Sequence, residues 1–448
     1  MKYKAEPNSS TVGAPSARRV KLMPRGYKQY PNYKDSGVEW LEEIPEGWEV
    51  ATISRLFDIK AGGDLKKEFF SETLTDKCCY PIYTNITKTK LPYGYTSKAI
   101  FNKNTITVTG RGDVGYAVYR ESEYDAIIRL LVLSPKNSEP CKYFMYYINE
   151  VLEFQVAKTA ISQLSTEQIS PYRLTVPPLQ EQKSIANYLD KAIAKIDTLI
   201  EKQTKLIELL KEKRQAVISS AVTRGLDASV PMKDSGVEWL GEIPEHWVAS
   251  RLKHLTKQII DGAHFTPTYV DNGVPFLRVT DLHNEVIDLS KVKFIPLSEH
   301  KELIKRCNPQ KGDLLLSKNG TIGLTKIVTW DWEFSVFVSL CLIKFLQDKM
   351  LPEFFMFIFQ SSGIEEQLSH SSKKTSVTNL HLDKINALYF SVPPVKEQRE
   401  IVSNLKKSSL KFESLITKST QAISLLKEKR TALISACVTG KIDVRDAA

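Results

Sequence analysis

The chain has 448 residues, 42% hydrophobic and 25% charged, the balance of a globular protein with room, at roughly 100–200 residues each, for about two to four domains. No apolar run approaches the roughly 18 residues of a membrane span and no apolar core marks a leader, so a cytoplasmic protein is expected. The net charge of +10 invites a nucleic-acid partner, yet residues 1–33 hold seven Lys/Arg (Lys2, Lys4, Arg18, Arg19, Lys21, Arg25, Lys28) against Glu6 alone, so charge by itself decides nothing.

That basic, Ser/Pro/Gly-rich stretch of 1–33 reads as a flexible tail. Residues 34–48 follow as KDSGVEWLEEIPEGW. Beyond them the spacing predicts strands at 105–109 (TITVT), 116–119 (YAVY) and 126–133 (AIIRLLVL), a helix over 140–156 and a closing strand at 172–176. Pro177 and Pro178 then precede a run free of Gly and Pro from Glu181 to Val222. Its apolar residues recur in three- and four-residue steps at Leu189, Ala192, Ile196, Leu199, Leu206, Leu210 and Val217, with Gln203 and Lys213 as polar interruptions. This is a helical seam, on a rod near 60 Å long at about 1.5 Å per residue.

Residues 233–247 read KDSGVEWLGEIPEHW, identical to 34–48 at thirteen of fifteen positions and offset by 199. Strands are then expected at 276–279, 313–317, 325–329 and 334–345, with a helix over 351–368. TVPPLQEQ at 175–182 returns as SVPPVKEQ at 391–398, LLKEKR at 209–214 as the same six letters at 425–430, and VISSAVTRGLD at 217–227 as LISACVTGKID at 433–443, all offset by 216. A second rod is expected from Glu397 to Val438, with a seam at Leu405, Phe412, Leu415, Ala422, Leu426 and Leu433. The two KEKR stretches read as solvated faces.

The chain is thus a tandem duplication in which the edges of each half agree and the middles diverge, with 17 residues gained in the second half. Neutral drift would blur the edges as well. The pattern instead fits one frame carrying two different readers. The expected fold class is α/β (α+β): two globular domains joined by two long antiparallel helices, a pseudo-twofold tandem repeat. The expected segments are the tail (1–33), a first domain (34–176), a helical spacer (177–232), a second domain (233–392) and a C-terminal helical spacer (393–448).

GRGDVG at 110–115 matches the dinucleotide pattern, but a strand rather than a helix follows, and its counterpart KNGTIG at 318–323 lacks the first Gly. A hairpin turn is the better reading. Beside it Arg111 faces Asn319, types suited to guanine and adenine edges, and Lys318 faces Gly110; a solvated turn competes. A second paired loop, AKTAISQLS at 157–165 and KKTSVTNLH at 373–381, carries Lys158, Thr159, Ser162 and Gln163 opposite Lys373, Lys374, Thr375, Thr378 and Asn379. Lys and Thr suit phosphate and Gln and Asn suit adenine, while an ordinary connector is the alternative. There is no phosphate-binding G-x-x-x-x-G-K-[ST], no zinc spacing among the six cysteines (Cys78, Cys79, Cys141, Cys307, Cys341, Cys437), and no histidine before His246. A duplicated enzyme should show duplicated acids, bases or ligands, and the middles show none.

With SGVEWL-x-EIPE-x-W twice, VPP-[LV]-x-EQ twice and the long helix ending in LLKEKR twice, the chain resembles the specificity subunits of type I restriction–modification enzymes over about 34–443. The resemblance implies that each middle is a target recognition domain reading one half of a split DNA sequence. It implies that the helices set the gap between half-sites and dock two modification subunits carrying S-adenosylmethionine. Two restriction subunits using ATP and Mg are a further implied partner. No catalytic residue, cofactor or metal is expected on this chain. The seam residues Leu189, Ile196, Leu199, Leu206, Leu210, Leu405, Phe412, Leu415 and Leu426 become the expected helix-pairing and subunit interface. The rival expectation is a helical scaffold that bridges two partner proteins without reading DNA.

Overall fold

The computed structural model describes residues 27–86, 91–154, 163–284, 286–361, 364, 367 and 380–447. The chain divides into two compact units, one of residues up to Gln203 with Gln421 onward, the other Thr204–Thr420.

In the first unit, Lys34-Asp-Ser-Gly folds into a small hairpin, Tyr33–Asp35 against Glu43–Pro45. Glu49–Thr52 then pairs antiparallel with the closing strand Arg173–Val176. The main sheet has the order Phe57–Ala61, Leu131–Pro135, Thr105–Val108, Ala117–Arg120, all antiparallel. Alternation sorts its side chains between two cores. Ile106, Val108, Leu131 and Leu133 face the helix Cys141–Glu150 through Tyr143, Phe144, Tyr147 and Ile148, whereas Val132 joins Phe101, Tyr124, Ala126 and Leu130.

The second unit repeats the hairpin (Met232–Asp234 with Glu242–Pro244), the closing pair (Val248–Arg251 with Tyr389–Val392) and the main sheet, in the order Thr256–Asp261, Leu340–Phe345, Leu314–Ser317, Thr325–Ile327. Helix Pro352–Phe359 replaces Cys141–Glu150. A helix at Leu297–Arg306 has no counterpart among the described residues of the first unit, and lies where the second half is longer. Four of the six cysteines lie in these cores, and burial pushes the thiols of Cys141 and Cys307 up to about 12.

The long helices run Leu179–Arg224 and Val395–Val438. In each unit the start of one lies in the same core as the end of the other, so they are antiparallel: Ile185, Leu189, Ile193 and Ile196 with Leu433, Ile434 and Cys437, and Ile401, Val402 and Leu405 with Ile218, Ala221 and Val222. Equivalent ion pairs fix the register, Arg430 with Asp197 at 3.7 Å and Arg214 with Glu413 at 3.4 Å. The arginine of each KEKR therefore reaches across to the other helix, and the stretch is not wholly a solvated face as expected. The seam also corrects the sequence reading. Leu189, Ile196 and Leu405 are buried and Leu210, Phe412 and Leu426 half-buried, but Leu199, Leu206 and Leu415 are exposed, their places taken by Ile200, Ile207 and Ile416. Adjacent Leu and Ile residues made the stripe too wide for spacing alone to choose between them.

The repeated motifs are welds in this frame. Fully buried Trp48 donates to Glu181 Oε1 at 3.2 Å, and Tyr30 donates to the same oxygen at 2.5 Å. Its counterpart Trp247 donates to Glu397 at 3.1 Å. Burying an indole removes on the order of 200 Å² from water, ~5 kcal/mol at about 25 cal/mol per Å², provided its N–H keeps a partner. Gln182 and Gln398 donate to the carbonyls of Pro177 and Pro393 at 2.8 and 2.9 Å, tying the VPP turn to the helix it starts. The helix ends are fixed reciprocally: Thr175 donates to Val438 C=O at 2.6 Å and Ser391 to Val222 C=O at 3.1 Å.

Candidate nucleic-acid interface

The G-x-x-G segments are hairpin turns, as the flanking strands required. Gly112 and Gly115 have φ of 72° and 91°, and Gly320 and Gly323 have 72° and 89°, the left-handed region that glycine enters without strain. A strand-end hydroxyl pins each turn. Thr109 accepts Tyr116 N–H at 2.9 Å and donates to Asp113 C=O; Ser317 accepts Leu324 N–H at 2.8 Å and donates to Thr321 C=O at 2.5 Å.

A second segment docks on each turn. Leu164 N–H donates to Gly110 C=O at 2.9 Å, and Leu380 N–H to Lys318 C=O at 2.8 Å. The described ends of the second paired segments, Leu164 and Leu380, thus lie against the glycine turns that the sequence offered separately. Arg111 bridges to Gln163 across 3.5 Å. Arg111 Nε and Asn319 Oδ1, at equivalent places in the two turns, are buried polar atoms without a hydrogen-bond partner among the described residues. Such groups are expensive to leave unpaired. Lys158, Thr159, Ser162, Lys373, Lys374, Thr375, Thr378 and Asn379 lie outside the described residues.

Lys318 requires a correction. It is 4% exposed, and its ammonium lies 3.1 Å from Asp261 Oδ2. Asp261 also holds Arg306 at 2.7 Å and His264 at 3.0 Å. Burial works to raise the Asp261 carboxyl, but hydrogen bonds from His264 and Lys318 outweigh it and hold the group below its ordinary value. A buried carboxylate needs a counter-charge. Lys318 supplies it and is a strut beneath the turn rather than a free DNA contact.

A third segment was hidden inside runs read as single strands. Residues 126–133 break into Asp125–Ala126 and Leu131–Pro135, and 334–345 into Ser335–Val336 and Leu340–Phe345. The breaks are tight turns closed by Leu130 N–H to Ile127 C=O at 3.3 Å and Leu340 N–H to Phe337 C=O at 2.9 Å. Both abut the glycine turns: a Cβ on Gly110 would stand 3.1 Å from Arg129 O and 3.0 Å from Leu164 O, while Lys318 N–H donates to Ser339 C=O at 2.9 Å. In each unit three segments therefore converge, the glycine turn, the strand-side residue docked on it (Leu164 or Leu380) and the tight turn, to make an edge of three loops with different residues at the equivalent described points: Arg111 and Asn319, and Ile128-Arg129 and Val338-Ser339.

The family of type I restriction modification DNA specificity domains matches residues 45–209 and 244–424. The chain belongs to this family. The specificity domains thus coincide with the duplication, one in each half. Among curated relatives, the EcoBI specificity subunit of Escherichia coli is 25% identical over 295 residues, covering 64% of this chain and 62% of that subunit. The MjaVIII specificity subunit of Methanocaldococcus jannaschii is 22% identical, covering 90% of this chain and 95% of that one. The EcoKI specificity subunit of E. coli K12 is 23% identical, covering 89% and 90%. A chain solved in work on complex assembly and conformational transition of the type I R-M system superposes with a TM-score of 0.67 at 12% identity, over 88% of this chain and 98% of that one. The HsdS subunit of Thermoanaerobacter tengcongensis gives 0.52 at 14%, over 89% and 98%. At these identities the solved structures support the fold alone. Among the described residues no group of three or more His, Cys, Asp or Glu could hold a metal, and no helix is long and apolar enough to cross a membrane.

Proposed function

We propose that the chain is the cytoplasmic DNA-reading subunit of a type I restriction–modification complex, in which each specificity domain reads one half of a bipartite target through its three-loop edge. One observation carries this: two edges of the same construction hold different polar residues at equivalent points. A shared scaffold with interchangeable tips is what two distinct half-sites demand. The paired helices set the gap between half-sites, and the glycine-turn residues Arg111 and Asn319 with Gln163 supply base contacts. Lys158, Thr159, Ser162, Lys373, Lys374, Thr375, Thr378 and Asn379, which precede Leu164 and Leu380 in sequence, are further candidate contacts to phosphate and base edges by residue type.

The helices also support docking of two modification subunits. Leu199 and Leu415 are 47% and 48% exposed, and Leu209 and Leu425 are 49% and 64% exposed; each pair falls at the 216-residue repeat offset. Such duplicated apolar positions, left out of the seam, suit one copy of a partner per repeat. Those subunits bring S-adenosylmethionine and adenine N6 methylation, and restriction subunits, where present, bring ATP and Mg. The test is to co-express the chain with its modification partner and map methylated adenines. Replacing residues 49–175 with the equivalent segment of another specificity subunit should change one half-site and leave the other. A pattern that does not change would overturn the reading.

A further inference from the structure

Only four non-glycine residues among those described have positive φ, and two of them are adjacent: Ile128 at 57° and Arg129 at 56°. They are the central pair of the third loop in the first domain. Hairpin turns of this hand favour Asn-Gly, because a Cβ in the left-handed region crowds its own backbone, and a β-branched residue is among the worst choices. Nothing in packing asks for this pair. Ile128 is 49% exposed, and Arg129 is exposed and makes no ion pair or side-chain hydrogen bond with any described residue.

The surroundings nevertheless hold the turn by several hydrogen bonds. Asn85 clamps it to the glycine turn, accepting Gly110 N–H at 2.7 Å and donating to Ile128 C=O at 2.6 Å. Ile128 N–H donates to Gly63 C=O at 3.0 Å and Arg129 N–H to Gly62 C=O at 3.1 Å. Gly62 and Gly110 leave room for this close approach, since a Cβ on Gly62 would stand 2.5 Å from Ala126 O. The frame itself does not require the inversion. In the second domain, Val338 and Ser339 occupy the same loop without positive φ. Strained, over-determined turns cluster at functional sites, and this exposed one is present in one domain and absent from the other.

We infer that the Ile128-Arg129 turn is a further base-reading element of the first domain. Arg129 presents its free guanidinium to a guanine edge in the major groove, and Ile128 supplies an apolar contact beside it, as to a thymine methyl. This rests on the DNA-reading proposal above. Asn85 is the positioning residue that keeps the turn in register with Arg111.

The experiment uses the full chain with its modification subunits and duplex oligonucleotides carrying the mapped target, varied one base pair at a time. Arg129→Ala should weaken binding about 10- to 100-fold and relax preference at one base pair of a single half-site, with an unchanged melting temperature. Arg129→Lys should recover affinity better than selectivity, because the ammonium lacks the fork that reads guanine. Ile128→Asn with Arg129→Gly should raise the melting temperature while losing the same preference. A uniform fall across all sequences, with a salt slope reduced by about one, would assign Arg129 to phosphate and overturn the inference. Full retention of target preference in the Asn-Gly variant would overturn it too. If the unmodified complex itself shows no sequence preference, the DNA-reading proposal fails instead, and the two failures are told apart.

Discussion

At the scale of single residues, the buried polar chemistry that the two halves repeat is structural. Glu181 and Glu397 are repeated because each keeps a buried indole N–H satisfied. Glu181→Ala leaves the Trp48 and Tyr30 donors buried without an acceptor. The expected loss is on the order of 2–4 kcal/mol, read as a lower melting temperature of the first unit, while Glu181→Gln, which keeps an acceptor, should lose less. Asp261 gives a prediction with a pH signature. Its carboxyl titrates below the ordinary value in the folded chain, so its contribution is complete above an unfolded value near 3.9 and is lost as pH falls through the folded one. Asp261→Asn, which strands Lys318, should destabilise the second unit by about 3–5 kcal/mol at pH 7. The gap between variant and parent should close below about pH 4 in chemical-denaturation curves. A gap that stays constant across that range would remove Asp261 from the ion cluster.

At the scale of elements, the sequence was most legible where periodicity had no competitor. The long helices were read to within a few residues of Leu179–Arg224 and Val395–Val438, because no Gly or Pro interrupts them. Their facing was not fully legible, since Leu199 and Ile200, or Leu415 and Ile416, satisfy the same spacing and only the partner helix chooses. Likewise Ile127-Ile128-Arg129-Leu130 reads as strand in an apolar run, because nothing local signals a turn where Asn-Gly is absent. The glycine turns were visible and their neighbours were not: docking of Leu164 and Leu380 on them depends on contacts far apart in sequence. The paired helices carry a prediction of their own. A seven-residue insert after Gln203 alone shifts Asp197 against Arg430 or Arg214 against Glu413, and should lower stability. Matched inserts after Gln203 and Thr420 preserve both pairings. They add about 10.5 Å, or about three base pairs at roughly 3.4 Å each. Methylation mapping should then return the same half-sites with a longer gap, and altered half-sites would count against the spacer role.

At the scale of the whole molecule, the chain is organised across its length rather than along it. The last turns of the second long helix do not complete the second domain. Leu433, Ile434, Ala436, Cys437 and Val438, followed by Ile442 and Val444, lie in the core of the first unit. Val438 C=O accepts from both Tyr143 and Thr175, and Asp443 N–H donates to Lys28 C=O at 2.8 Å. The first and last described segments therefore meet, where in the second unit the chain runs on from Gly225 into the hairpin. Truncation tests this directly. Ending the chain at Arg430 removes seven buried apolar side chains from the first unit. At about 1.5–3 kcal/mol for a large one and less for alanine, the sum is comparable with the entire stability of a domain, about 5–15 kcal/mol. Hydrogen exchange should show protection lost over the Thr105–Val108 and Leu131–Pro135 strands. The Leu314–Ser317 and Leu340–Phe345 strands should stay protected, since their core holds no residue beyond Leu405. Loss confined to the second unit would contradict this division. With the first reader unfolded and the second intact, sequence preference should persist at one half-site only, so the last few residues of the chain govern what its beginning can read.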